Sequence, residues 1–289
     1  MSLVKSHRDT YRRVVLRRLR RDRGAVAGCI IVLSIVMCAI FAPHITPYDP
    51  LKHDYSKLLF PPSLAHPLGA DQYGRDLLTR IVFGCRYAII IGGFVVAVQL
   101  LIGVTLGLIA GYYGGIMESM IMRMTDVMLS IPSIVLAVSI AGLLGGGIQN
   151  VIIAVAAVGW RGYTRLVWSE VLSIKRATSV EAARAIGCGD LRIIVRHILP
   201  HTLGSVIAYS SFSIAIAILW AAALSFLGLG AQPPTPEWGA MLADGRDFMS
   251  DAWWIATFPG VAIMITVLGF NFFGDALRDA LDPKMGKRV

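Results

Sequence analysis

The sequence predicts an all-α integral membrane protein with six transmembrane helices and both termini cytoplasmic. Three observations predict it. Of 289 residues, 56% are hydrophobic and only 16% are charged, with a mean hydropathy of +0.67; soluble domains average about 25% charged. Apolar runs long enough to cross lipid recur along the chain, parted by polar segments. Basic residues gather in alternate polar segments, the mark of the cytoplasmic side. The formal net charge of +9 is therefore read as membrane-side bias and not as a nucleic-acid surface, because the basic cluster directly abuts an apolar run.

The elements follow in order. Residues 1–23 form a basic cytoplasmic segment, with Arg12, Arg13, Arg17, Arg18, Arg20, Arg21 and Arg23 among its cations. Val14, Val15, Leu16 and Leu19 among them fit an interfacial helix. The first span runs from Gly24 to Ala42 and reads as an uncleaved anchor, since its basic flank is long and Pro43 follows at once. With the proline-rich outer loop 43–86 it makes a unit of residues 24–86; residues 87–289 make a five-helix core. The second span covers about Tyr87 to Gly111. Gly103, Gly107 and Gly111 share one face of it, suited either to packing within the subunit or to a subunit interface. The third span, Met120 to Leu143, opens with Arg123 and Asp126 and carries Pro132, which predicts a kink. Arg123 and Asp126 either pair or reach the interface, or make a polar contact facing a pathway. The fourth span runs from Ile148 to Trp168, with Arg161 and Arg165 at its inner end. The fifth covers His201 to Leu229 and the sixth Trp253 to Phe273, with Trp253 and Trp254 as outer interface anchors. The basic tail, Arg278 to Val289, is placed inside.

Between the fourth and fifth spans lies a charged inner loop, residues 169–199. Thr178-Ser179-Val180-Glu181 reads as a capping box, with Thr178 accepting from the backbone near Glu181. Ala182, Ala183 and Ala185 favour a slim helix, Gly187 stops it, and Asp190 is placed as the N-cap of a second helix through Leu199. Pro200 then opens the next span in its first turn. Residues 178–190 thus present a short helix to the cytoplasm, or are only a well-capped loop.

The same residues carry a resemblance. Glu181-Ala182-Ala183, Gly187 and Leu199-Pro200 resemble the cytoplasmic signature of ABC importer permeases, with Ile198 before the Leu-Pro pair. His66-Pro67-Leu68-Gly69-Ala70-Asp71-Gln72-Tyr73-Gly74-Arg75-Asp76 is similar to the outer-loop stretch of the C-type permeases of dipeptide, oligopeptide and nickel importers, with Ala70 where threonine is usual. Leu224 to Gly230, Glu237-Trp238-Gly239 and Asp275 through Pro283 fit the same family.

The resemblance implies a type I ABC importer permease architecture and di- or oligopeptide transport by alternating access, with nickel or another small solute as the alternative cargo. It implies a heterodimer with a homologous B-type permease, two cytoplasmic ATPase subunits that hold ATP and Mg, and an extracytoplasmic solute-binding protein. Glu181, Ala182, Ala183, Gly187, Asp190, Leu199 and Pro200 become the ATPase-docking and coupling residues. Asp71, Arg75 and Asp76 become candidate contacts for the binding protein or substrate, against a purely turn-building role.

Other chemistry is sparse. No GxxxxGK[ST], H-E-x-x-H or G-x-S-x-G occurs, so no nucleotide, metal or catalytic site of this chain's own is expected. A stand-alone secondary transporter is the rival class, and it would need charged residues deep within a span. His44, His53 and His66 fit no metal spacing, and Cys29, Cys38, Cys85 and Cys188 read as apolar fillers without a disulfide.

Overall fold

The computed structural model describes residues 22–281, and helices carry most of them. The basic segment up to residue 21 and the Asp282-Pro283 pair lie outside the described residues. The first helix, α1, is Arg23–Ile45, capped by the Asp22 carboxylate on the amides of Gly24 and Ala25. A loop with one short 3₁₀ turn at Tyr55–Lys57 leads to α2, Leu77–Tyr113. Next come α3, Gly115–Ser130, and α4, Ser133–Leu144. Then follow α5, Ile148–Ile174, and the short α6, Thr178–Ala185. The long α7 spans Asp190–Phe226, followed by α8, Trp238–Gly245, and α9, Trp254–Leu281.

Among the described residues, α1, α2, α7 and α9 are long and apolar enough to cross a membrane, and the bent pair α3–α4 makes a fifth candidate. The remaining long helix, α5, has 27 residues but carries Arg161, Arg165 and Glu170. Three boundaries depart from the sequence reading, each for a physical reason. Asp76 caps α2 on Thr79, so the helix begins ten residues before Tyr87. The kink expected at Pro132 is a full break, with α3 and α4 meeting at 89°. And α7 does not start at His201, because the inner segment from Asp190 runs into the span without interruption. Its path includes a π turn, Ile194–Ile198, placed just ahead of Pro200. There the Leu199 amide bonds Ile194 O, five residues back.

The glycine row settles on internal packing. A Cβ built on Gly103 would lie 2.4 Å from Trp160 O, one on Gly107 2.7 Å from Val167 Cβ, and one on Gly111 2.6 Å from Val171 Cβ. All three therefore admit α5 against α2. The core runs as three connected apolar groups. An outer one joins α1, α2, α7, α8 and α9 around Leu77, Trp238 and Ile255. A middle one joins α2, α4, α5 and α7 around Val95, Val155 and Leu224. An inner one joins α2, α5, α6 and α7 around Tyr163, Val180 and Ile193.

Candidate functional site

At the inner end of the molecule, α6 is a short amphipathic helix. Val180 and Ala183 are buried on Ile193, Ile194 and Ile198, while Glu181, Ala182, Arg184 and Ala185 face outward. The predicted capping box does not form. Thr178 is already helical, Ala177 is the N-cap, and its carbonyl takes the amides of both Val180 and Glu181. The stop at Gly187 does form. Its φ of +79° is the left-handed region, Gly187 N bonds Arg184 O at 2.9 Å, and Cys188 N reaches back to Ala183 O at 3.0 Å. These two bonds complete a Schellman cap.

Asp190 is not the N-cap of α7; Gly189 is. The Asp190 carboxylate instead accepts the Tyr112 hydroxyl at 2.7 Å. The Arg184 guanidinium lies 5.2 Å from the centre of the Tyr112 ring, and Lys175 donates to Gly111 O at 2.9 Å. The inner tip of α2 is thereby tied to α5, α6 and the start of α7 at once. Tyr112 lies one residue beyond the predicted end of the second span at Gly111, and its only signal was an aromatic ring following a glycine-lined helix. Sequence reasoning also passed over Ile186 and Leu191, which are 80% and 75% exposed. Two bare aliphatic side chains in an otherwise polar segment were the signal there. Leu199 and Pro200 sit just after the π turn, where α7 resumes its α-helical course.

The outer motif folds onto the body of the chain. Asp71, Arg75 and Asp76 are all buried, at 3%, 2% and 5% exposure. Arg75 Nε donates to Asp71 Oδ2 at 2.6 Å, and Asp71 Oδ1 accepts the amides of Tyr73 and Arg75. Arg80 stands 3.5 Å from the same carboxylate and donates to Pro50 O and Pro234 O. Asp76 accepts from Thr79 and pairs with His66 Nδ1 at 2.8 Å. At Gly74 (φ +73°) a Cβ would fall 1.8 Å from Asp54 O, so the turn is closed to larger residues.

Trp254 joins this fastening, its Nε1 donating to Ala70 O; it is buried and is not an interface anchor, whereas Trp253 is half exposed. Glu237 caps α8 on the amides of Gly239 and Ala240. Burial pushes its carboxyl above the usual range, and the two backbone bonds pull it back. Asp244 is also raised by burial, against the pull of Arg75 and Arg80. The outer loop is thus locked onto α2, α8 and α9 by a buried polar network.

A third polar constellation lies between these ends. Arg161 is buried and donates to Met128 O and Ser133 Oγ, on either side of the α3–α4 break. Arg165 pairs with Asp126, and Trp168 Nε1 donates to Glu118 at 2.8 Å. Asp126 therefore answers a charge on α5 and not its neighbour Arg123.

Comparison with known proteins follows the same lines. Residues 103–287 match the family described as binding-protein-dependent transport system inner membrane component. Residues 10–62 match the N-terminal TM domain of oligopeptide transport permease C. The chain is 47% identical to the dipeptide transport system permease protein DppC of Alkalihalophilus pseudofirmus, over 94% of this chain and 90% of that one. It is 46% identical to the glutathione transport system permease protein GsiD of Pectobacterium atrosepticum, over 93% and 90%. It is 44% identical to the di/tripeptide transport system permease protein DppC of Pseudomonas aeruginosa, over 91% and 89%. The fold is similar to a solved structure titled inward facing conformations of the MetNI methionine ABC transporter. That match has a TM-score of 0.59 at 19% identity, covering 71% of this chain and 98% of that one.

Proposed function

The chain belongs to the binding-protein-dependent transport system inner membrane components and is a multi-pass permease subunit of an ABC importer; from that premise we propose that it moves di- or oligopeptides across the cell membrane by alternating access, driven by ATPases on separate subunits. Six crossings with both termini cytoplasmic are part of this reading, α5 being the crossing whose arginines lower its hydropathy. The observation that carries the coupling role is the placement of α6. It is a capped helix seated on the inner core, with Glu181, Ala182, Arg184 and Ile186 turned outward and Tyr112 linking its base to α2.

In this reading two ATPases grip that outward face, and ATP-driven closure moves α6 together with the tips of α2 and α7. Ala183 takes no part in the contact surface, since it is buried against α7; it lets α6 sit close. Gly187, Asp190, Leu199 and Pro200 shape the connection between the docking helix and the span. A homologous B-type permease completes the membrane unit, and an extracytoplasmic solute-binding protein delivers the cargo. Asp71, Arg75 and Asp76 act on that encounter by holding the outer loop in shape.

Peptide is preferred as cargo over nickel or another small solute because relatives at 44–47% identity carry dipeptide, di/tripeptide and glutathione in their names. The deciding experiment reconstitutes this chain with its partner permease, ATPases and binding protein in vesicles. Peptide uptake that requires ATP, and a crosslink from Ala182→Cys to an ATPase subunit, are expected. Flux through the permease without any ATPase would replace this reading with a stand-alone transporter.

A further inference from the structure

The α3–α4 break is built into the middle of the helical layer. On the reading that α5 crosses the membrane, its 27 residues span ~40 Å at ~1.5 Å each, and Arg161 lies at its midpoint. In an unbroken helix the amide at position 132 would bond Met128 O, but proline has no N–H. Arg161 supplies that missing donor through Nη1 and holds Ser133 through Nη2. The break is therefore stabilised by a charge dedicated to it.

The exposed side of the break carries an ion pair set among the exposed apolar side chains Val127, Ile131 and Val135. One turn along α5, Arg165 pairs with Asp126, and their side chains are 52% and 56% exposed. Ser130, Ile131 and Pro132, the interrupted backbone itself, are exposed on the chain's surface. Only Thr125 of α3 is buried. Two independent penalties keep lipid off this face. A charged side chain near the bilayer centre costs about 2.5–3.5 kcal/mol on the insertion scale. Irregular backbone at that depth is tolerated only where protein or water meets it.

We infer that the Ser130–Ser133 break and the Asp126–Arg165 pair line the water-filled route of the importer, so that a hydrated solute passes directly against them. This inference rests on the permease reading above and adds the residues that meet the solute. The contrast is with Phe94 on α2, 62% exposed among apolar neighbours, which suits lipid.

The test uses the assembled importer in vesicles, with the four native cysteines replaced and either Ser130→Cys or Ile131→Cys introduced. A charged, membrane-impermeant thiol reagent should label both positions in at least one nucleotide state, and the adduct should abolish uptake. Phe94→Cys should stay unlabelled by it while reacting with a permeant maleimide. If Ser130→Cys and Ile131→Cys also react only with the permeant maleimide, in every nucleotide state, the face meets lipid or protein and the inference is overturned. Loss of ATP-driven uptake in the unsubstituted importer would instead remove the permease reading itself, so the two failures are separable.

Discussion

Gly107→Ala is a sharp probe of the α2–α5 seam. A Cβ there would meet Val167 Cβ at 2.7 Å, Thr164 O at 2.8 Å and Val167 Cγ1 at 3.1 Å. The first two belong to the backbone or its root and cannot rotate away. Ordinary contact begins near 3.4 Å, so the helices must part by ~0.7 Å at this point. Overpacking of this kind costs about 1–3 kcal/mol, set against a helix-propensity gain of at most ~1 kcal/mol for replacing glycine. The same helix holds its own control. Gly93 has nothing within 4 Å of its would-be Cβ, so Gly93→Ala takes the propensity gain without the clash. The difference between the two variants isolates packing. At about 2–4 °C per kcal/mol for a chain of this size, Gly107→Ala should melt about 2–12 °C below Gly93→Ala in one detergent. Equal melting temperatures would refute close α2–α5 contact at the glycines.

Other outcomes follow from the same geometry. Tyr112→Phe keeps the ring under Arg184 but loses the bond to the Asp190 carboxylate, worth about 1–2 kcal/mol. The importer should assemble normally and hydrolyse more ATP per solute moved; an unchanged ratio argues against a transmitting role. Ile186→Ser, on a side chain 80% exposed, should leave the permease's own melting temperature alone and weaken ATPase binding about tenfold, read by titration of the ATPase onto permease vesicles. Glu237 has a folded-state carboxyl raised by burial above 4.5. The folded state therefore holds the proton more tightly, and this group's contribution to stability is greatest below pH 4.5 and falls as pH rises through the raised value. Glu237→Gln should flatten that part of a stability-versus-pH curve, and a curve identical to wild type would exclude the group.

The long spans were legible because lipid imposes one demand, an apolar length, on every helix that crosses it. Less legible was anything settled between distant segments. Pro132 signalled an interruption, but its depth depends on Arg161 standing 33 residues away to satisfy Met128 O. Arg161 and Arg165 looked like the end of a span because charge normally ends one; here each has a partner across the helix pair. Asp190 had the residue type of an N-cap, but the Tyr112 hydroxyl, 78 positions back, claims its carboxylate. Ala183 carried the family signature and was expected to meet the ATPase, yet the hydrophobic face of α6 turns it inward, so Ala183→Arg would unseat the helix before reaching any partner. Asp71, Arg75 and Asp76 stood in the sequence as either solute-side contacts or turn builders; their burial follows from Arg80, Pro50 and Pro234, which no local pattern brings together.

The unbroken course of α7 has a mechanical corollary. As a rod of ~55 Å it runs without a break from Asp190 to Phe226, so force applied at its Asp190 end travels along it. Its soft place is the over-wide turn at Ile194–Ile198, where one surplus residue loosens the ladder just ahead of Pro200, which has no N–H to donate. The shaft can accordingly be swivelled from below as a stiff crank, with a torsional clutch set within a few residues of the handle.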